Sequence, residues 1–335
     1  MKKQSYYNYL VFLFSIISIS LILTDCKKNE NPIKFPKGIF PDSIYNLTDI
    51  NSAYDDYNIA LYQLSVTSPI IFSSNRKSLG GQFDLEQASV SFNFDQTNGN
   101  FSVKAEMSND LFLTKLINKA ITPGDDFGPY RLFSISDGFE YLLISSVNEA
   151  GNLDLFYLRN QPVTGTTLPN VEGPFPIKLL NTGSDDAYLS FNSNFDSAYF
   201  TSNRDGNYDI YLHMRPSNKT LAAWFNLDFS ASTKVDSVNS TSDDKCPFVY
   251  KNILVFTSDR PGGFGGFDLY YSIFRNGNWS SPVNFGSKIN SSSDEYRPVI
   301  AQPPDFTNLY MMFSSNRPGG KGGFDLYFTG FTFPK

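Results

Sequence analysis

One motif recurs five times along this chain, and its period constrains the fold more than any other feature. Residues 71–85 read IFSSNRKSLGGQFDL, 200–211 read FTSNRDGNYDIY, 256–270 read FTSDRPGGFGGFDLY, and 313–327 read FSSNRPGGKGGFDLY. A degenerate copy, ISSVNEAGNLDLFY, occupies 144–157. The arginine slots are Arg76, Asn148, Arg204, Arg260 and Arg317, spaced by 72, 56, 56 and 57 residues. A fixed period of this length is the mark of a repeat architecture. A pair of adjacent acids recurs upstream of each copy: Asp55–Asp56, Asp125–Asp126, Asp185–Asp186, Asp243–Asp244 and Asp294–Glu295.

Each period holds four short runs of strand-forming residues. In the last one these are Asn278 to Phe285, Tyr296 to Ala301, Tyr310 to Ser314 and Phe324 to Thr329, with Gly, Pro, Asn, Asp and Ser between them. The 32 Phe and 20 Tyr suit half-buried pleated surfaces. Four strands per period predict an all-β chain forming a single β-propeller of about five four-stranded blades. A β-sandwich or an open solenoid is the alternative, and the strict period disfavours the sandwich. The chain stops after the third strand of its last unit, and residues 41–61 resemble 279–300, with the stretch near 43–50 matching the outer strand. That stretch is therefore expected to supply the missing outer strand and close the ring, leaving no open sheet edge. The long first spacing implies an insertion, with residues 92–110 extending a hairpin of the first blade.

The core Ser315-Asn316-Arg317-Pro318-Gly319-Gly320, followed by Gly322-Gly323-Phe324-Asp325-Leu326-Tyr327, resembles the TolB-type, WD-like propeller repeat of bacterial envelope proteins. The similarity spans roughly residues 45–330. It implies a non-enzymatic envelope module that binds or scaffolds a protein or other envelope ligand. Such propellers commonly have six blades, against five units here.

The first 26 residues read as an address. Met1-Lys2-Lys3 precedes a nearly apolar run from Leu10 to Leu23, too short for an ordinary membrane span. Leu23-Thr24-Asp25-Cys26 resembles the bacterial lipobox, which implies lipidation at Cys26 and a membrane anchor in the cell envelope, with the outer membrane as the expected address. Residues 1–25 are then the signal peptide, 26–42 a polar, proline-containing tether, and 43–335 the propeller.

Within the repeat, Arg76, Arg204, Arg260 and Arg317 each follow a strand, and Asp84, Asp209, Asp268 and Asp325 each begin the next. The expected role is an ion pair within the blade, closing the hairpin. The second unit keeps Asp154 but lacks the arginine. The glycines between them (Gly262, Gly263, Gly265, Gly266, and Gly319, Gly320, Gly322, Gly323) are expected to permit positive φ in that turn. The alternation Asn203, Asp205, Asn207, Asp209 offers oxygen ligands but lacks the glycine and distal glutamate of a calcium loop.

The acid pairs precede the strands expected to line the axis. They could form an acidic ring that attracts a divalent cation, or each could cap its own turn. No cofactor is otherwise indicated. A net charge of −6 argues against nucleic acid, and the one histidine, His213, argues against His-based metal or triad chemistry. Cys246 is expected in the core, and Trp224 and Trp279 near outer strands. Carboxylates across the axis of a propeller can also hydrolyse glycosides. That chemistry needs unlike carboxylates, whereas the five pairs look equivalent, so a binding module is the leading expectation and a carbohydrate-active hydrolase the alternative.

Overall fold

A computed structural model describes residues 32–61, 67–160 and 170–333. The signal segment and Cys26 lie outside the described residues.

Five antiparallel sheets follow one another along the chain. The first blade comprises, from the inner strand outward, Asp56–Leu61, Thr67–Ser74, Asp84–Phe94 and Phe101–Met107. The second comprises Asp126–Ser134, Phe139–Val147, Leu153–Asn160 and Val171–Pro176, and the third Asp186–Phe191, Ser197–Ser202, Asp209–Met214 and Thr233–Lys234. In the fourth, Asp244–Tyr250, Ile253–Ser258 and Asp268–Arg275 are edged by two short strands, Asn278–Trp279 and Val283–Asn284. The fifth comprises Glu295–Ala301, Leu309–Ser315 and Asp325–Phe331, and its outer strand is the N-terminal Tyr45–Asn46. Each inner strand packs against those of the blades before and after it, first and fifth included. The chain is thus a five-bladed β-propeller closed by its own N-terminal strand.

The insertion is the long hairpin of strands 84–94 and 101–107, followed by a helix, Leu111–Ala120. Asp110 caps that helix by accepting the Leu113 amide, and Leu113, Leu116, Ile117 and Ala120 form its buried face. The segment 36–42, read from sequence as tether, lies on the propeller instead. Phe40 is fully buried and stacks on Phe306 at 3.8 Å. Its amide bonds the Asn308 side chain at 2.8 Å. The apolar Phe40 among Phe92, Tyr310 and Phe328 is reason enough for that docking.

The repeat motif is mostly seam. The first acid of each pair accepts a backbone N–H at the start of the third strand of the preceding blade. These bonds run from Phe324 to Asp55, Phe83 to Asp125, Leu153 to Asp185, Tyr208 to Asp243 and Phe267 to Asp294, at 2.8–3.0 Å. The next amide answers in the other direction. Asp56, Asp126, Asp244 and Glu295 donate their N–H to the carbonyls of Phe324, Phe83, Tyr208 and Phe267. The first Ser or Thr of the motif holds the following blade as well, since Ser314, Ser145, Thr201 and Thr257 accept the amides of Asn58, Tyr188, Cys246 and Arg297.

The arginines correct one expectation. They pair with the second acid upstream, not with the aspartate that begins the next strand. Arg76 goes to Asp56, Arg204 to Asp186, Arg260 to Asp244, and Arg317 to Glu295 at 2.8 Å. Each also donates to a loop carbonyl, those of Ile50, Leu180, Val238 and Ile289. These four acids are fully buried, and each paired arginine offsets a buried charge. Asp268 and Asp325 are served instead by turn amides, Phe264 and Gly265 in one blade and Lys321 and Gly322 in the other. Asp209 pairs with Lys234, and Asp154 accepts the Asn148 amide.

The glycines are a second correction. Of the eight named, only Gly262 and Gly319 have positive φ. Gly265 and Gly322 are required for close approach: a Cβ at 265 would lie 2.0 Å from the Ser293 carbonyl oxygen, and at 322, 1.8 Å from that of Tyr54. Gly322→Ala is therefore expected to open the seam between the last and first blades and to destabilise by about 1–3 kcal/mol. Gly183→Ala, with open space around it, should leave the urea midpoint unchanged. Equal midpoints for the two variants would contradict this reading.

Candidate functional site

A propeller presents its axis at two mouths, and the two differ here. At the mouth where the inner strands begin stand the acid pairs. The residues just inside them, Tyr57, Phe127, Lys245 and Tyr296, meet Phe83, Phe267 and Phe324 from the neighbouring hairpins. Tyr57 lies 5.0 Å from Phe324 and 5.5 Å from Tyr296, Phe83 lies 5.0 Å from Phe127, and Phe267 lies 4.9 Å from Tyr296. The Lys245 ammonium sits 4.0 Å above the Tyr208 ring and 3.0 Å from Asp243. This mouth is an aromatic floor rimmed by half-buried carboxylates.

At the opposite mouth, where the inner strands end, a cavity of about 300 Å³ is lined by Leu61, Tyr130, Phe133, Phe191, Phe195 and Phe248, among others. No carboxylate is among its lining residues in the described chain.

The rim acids have unlike surroundings, which sequence alone did not reveal. In three blades an amide serves the first acid: Asn75 bonds Asp55, Asn203 bonds Asp185, and Asn316 bonds Asp294. Asp185 also receives the Tyr208 hydroxyl. In the fourth blade Asp259 accepts the Asp243 amide, and the Asp243 side chain faces Lys245. The second blade breaks the pattern in both slots. Val147 stands where the amide should be, so Asp125 keeps the Phe83 amide on Oδ1 but has no side-chain amide partner for Oδ2 among the described residues. Asn148 stands where the arginine should be and turns to Asp154. Asp126 is then a fully buried carboxylate with no arginine. Thr122 donates to it through its N–H at 2.9 Å and its hydroxyl at 3.0 Å. Burial pushes its pKa up to about 6. The signal was present in the sequence as Val147-Asn148, where it read as mere degeneracy.

Asp56, Asp186, Asp244 and Glu295 are fully buried behind the rim. The rim itself is thus Asp55, Asp125, Asp185, Asp243 and Asp294. No group of three or more His, Cys, Asp or Glu side chains suited to a metal is found among the described residues. His213 bonds Ser232 at 3.1 Å beside Trp224, away from both mouths.

Sequence reasoning also missed the residues at the centre of the axis. The third residue from the start of each inner strand is Asn58, Gly128, Tyr188, Cys246 or Arg297, and every one has φ between +50° and +58°. A register shift marks the same place in all five inner strands. Five different residue types concealed a shared backbone bulge.

No protein-family model matches the chain, and no curated relative is similar to it in sequence. Solved structures share its fold. A thermostable family-43 glycoside hydrolase superposes with a TM-score of 0.53 at 11% identity, covering 86% of this chain and 93% of its own. An endo-arabinase from Bacteroides thetaiotaomicron gives 0.51 at 11% identity, covering 89% and 98%. An exo-β-1,3-galactanase from Clostridium thermocellum gives 0.52 at 12% identity, covering 87% and 63%. At such identities the likeness is one of fold. It nevertheless corrects two expectations. The similar structures named above are glycoside hydrolases, not TolB-type or WD-like repeat proteins, and the local Asn-Arg…Asp-Leu-Tyr motif on which that resemblance rested serves the blade seams. The expectation of a non-enzymatic binding or scaffold module, which rested chiefly on the apparent equivalence of the five acid pairs, is overturned by the same neighbours, which are glycoside hydrolases.

Proposed function

We propose that this chain is a carbohydrate-active hydrolase working at the acid-rimmed mouth of its axis. The observation that carries this reading is the broken equivalence of the second blade. Glycoside hydrolysis requires carboxylates in different environments, one able to accept or donate a proton where another stays ionised. Asp125, with an oxygen not engaged by an amide, differs from Asp185 and Asp243, whose oxygens are committed to Tyr208 and Lys245. The aromatic floor supplies faces on which sugar rings stack. Asp126 is too buried to touch substrate, and it acts on the site only by fixing the backbone beneath Asp125. The fold shared with an endo-arabinase, an exo-β-1,3-galactanase and a family-43 hydrolase supports the same reaction class.

The lipobox-like Leu23-Thr24-Asp25-Cys26 supports an address in the cell envelope, held to a membrane by lipid. The substrate would then be a glycan met at or outside that surface.

Release of reducing ends from arabinan, xylan and β-1,3-galactan tests the assignment. Wild-type protein should cleave at least one, and Asp125→Asn should lower the rate by about a hundredfold with melting temperature unchanged. Cleavage that survives Asp125→Asn intact would remove that residue from the chemistry. Absence of cleavage across a wide glycan panel would overturn the hydrolase reading.

A further inference from the structure

Arg297 is a cation buried without a countercharge. Its side chain projects from the bulge of the fifth inner strand and is wholly inaccessible. One of its nitrogens, Nη2, donates to the Pro129 carbonyl at 3.2 Å. The guanidinium lies 5.6 Å from the centre of the Tyr188 ring. Nε and Nη1 have no partner among the described residues. Its electrostatic neighbours are Cys246, Tyr188, Tyr130 and Tyr57, and none of these is a carboxylate. The four other arginines of the repeat each have an acid. The side chain of Asn58, at the same bulge position in the adjacent blade, is also fully buried and lies against the Tyr188 hydroxyl.

A buried arginine cannot shed its proton in the ordinary range, and an unpaired buried charge costs several kcal/mol. The surrounding acids do not offset it. Burial raises Cys246 to about 12 and Tyr130 to about 12, and drives Tyr57 and Tyr188 upward too, so all four are neutral at pH 7. Buried water could satisfy the N–H groups but would leave the charge standing.

We propose that the propeller axis binds a small inorganic monovalent anion of the chloride class, held by Nε and Nη1 of Arg297. The site is distinct from the acid-rimmed mouth and does not depend on the hydrolase reading. Complete burial of the guanidinium favours a small anion such as a halide over a bulky one such as gluconate.

The test is a melting series at constant ionic strength and pH, in sodium gluconate with increasing sodium chloride, together with a crystal grown in sodium bromide and measured for anomalous scattering. Chloride should raise the melting temperature by several degrees, and an anomalous peak should lie beside the Arg297 guanidinium. Arg297→Met should melt at one temperature in both salts. If that variant does not fold, the wild-type bromide peak decides. No anomalous peak there, or equal wild-type melting in chloride and gluconate, would overturn the proposal and leave water as the partner.

Discussion

Asp244→Ala is expected to lower the unfolding free energy by about 3–5 kcal/mol, toward the lower end because Arg260 keeps some contact with solvent. Asp244 is completely buried, while the Arg260 side chain is 15% exposed. The carboxylate accepts from Arg260, from the Ser240 amide at 2.6 Å and from the Ser240 hydroxyl at 2.9 Å. Truncation leaves those donors unpaired beneath the fourth blade, and each orphaned donor adds to the cost. The backbone clasp to the Tyr208 carbonyl remains, so the fold should survive at reduced stability. Urea unfolding reads the effect as a fall in midpoint at constant slope. A loss below about 1 kcal/mol would mean that the arginine–acid pairs are surface ornaments of the repeat and not its fasteners.

The second large effect has opposite signs at two equivalent positions. Asp186→Asn should destabilise by about 2–4 kcal/mol, because it removes the charge that Arg204 needs. Asp126→Asn should stabilise at pH 8, because Asp126 carries a buried charge that no arginine offsets. With its pKa raised from 3.8 to about 6, the folded state holds its proton more tightly than the unfolded state. The stability this confers is fully present below the unfolded value of 3.8 and is lost as pH rises through about 6. A shift of that size corresponds to roughly 3 kcal/mol at high pH. The advantage of Asp126→Asn over wild type should therefore be largest near pH 8, shrink through pH 6 and vanish near pH 4. Thermal melts across that window check it. Destabilisation by Asp126→Asn at pH 8 would show that Thr122 already compensates the charge.

Much of the architecture was legible because it is periodic. Blade number, strand count and the closing strand near Tyr45 all follow from landmarks that recur in register. What the landmarks do was harder to read. Sequence proximity suggested that Arg260 meets Asp268, eight residues on, but the carboxylate in reach lies 16 residues back across the first hairpin. The double glycines looked like turn formers, yet Gly322 is small because Tyr54 of the first blade presses on it. The helix Leu111–Ala120 follows an insertion and has no counterpart in the other units, so the repeat could not announce it. The site was obscured for the opposite reason. Function in a symmetric ring shows as departure from symmetry. Val147 and Asn148 are such departures, as is Arg297 among the axial residues.

The most direct test of the central claim is the crystal structure of the Asp125→Asn protein with a bound oligosaccharide from whichever glycan the wild type cleaves. The account predicts a sugar stacked on the aromatic floor around Tyr57 and Phe127, with its scissile bond beside residue 125. A sugar seated instead in the carboxylate-free cavity between Tyr130 and Phe248 would contradict it.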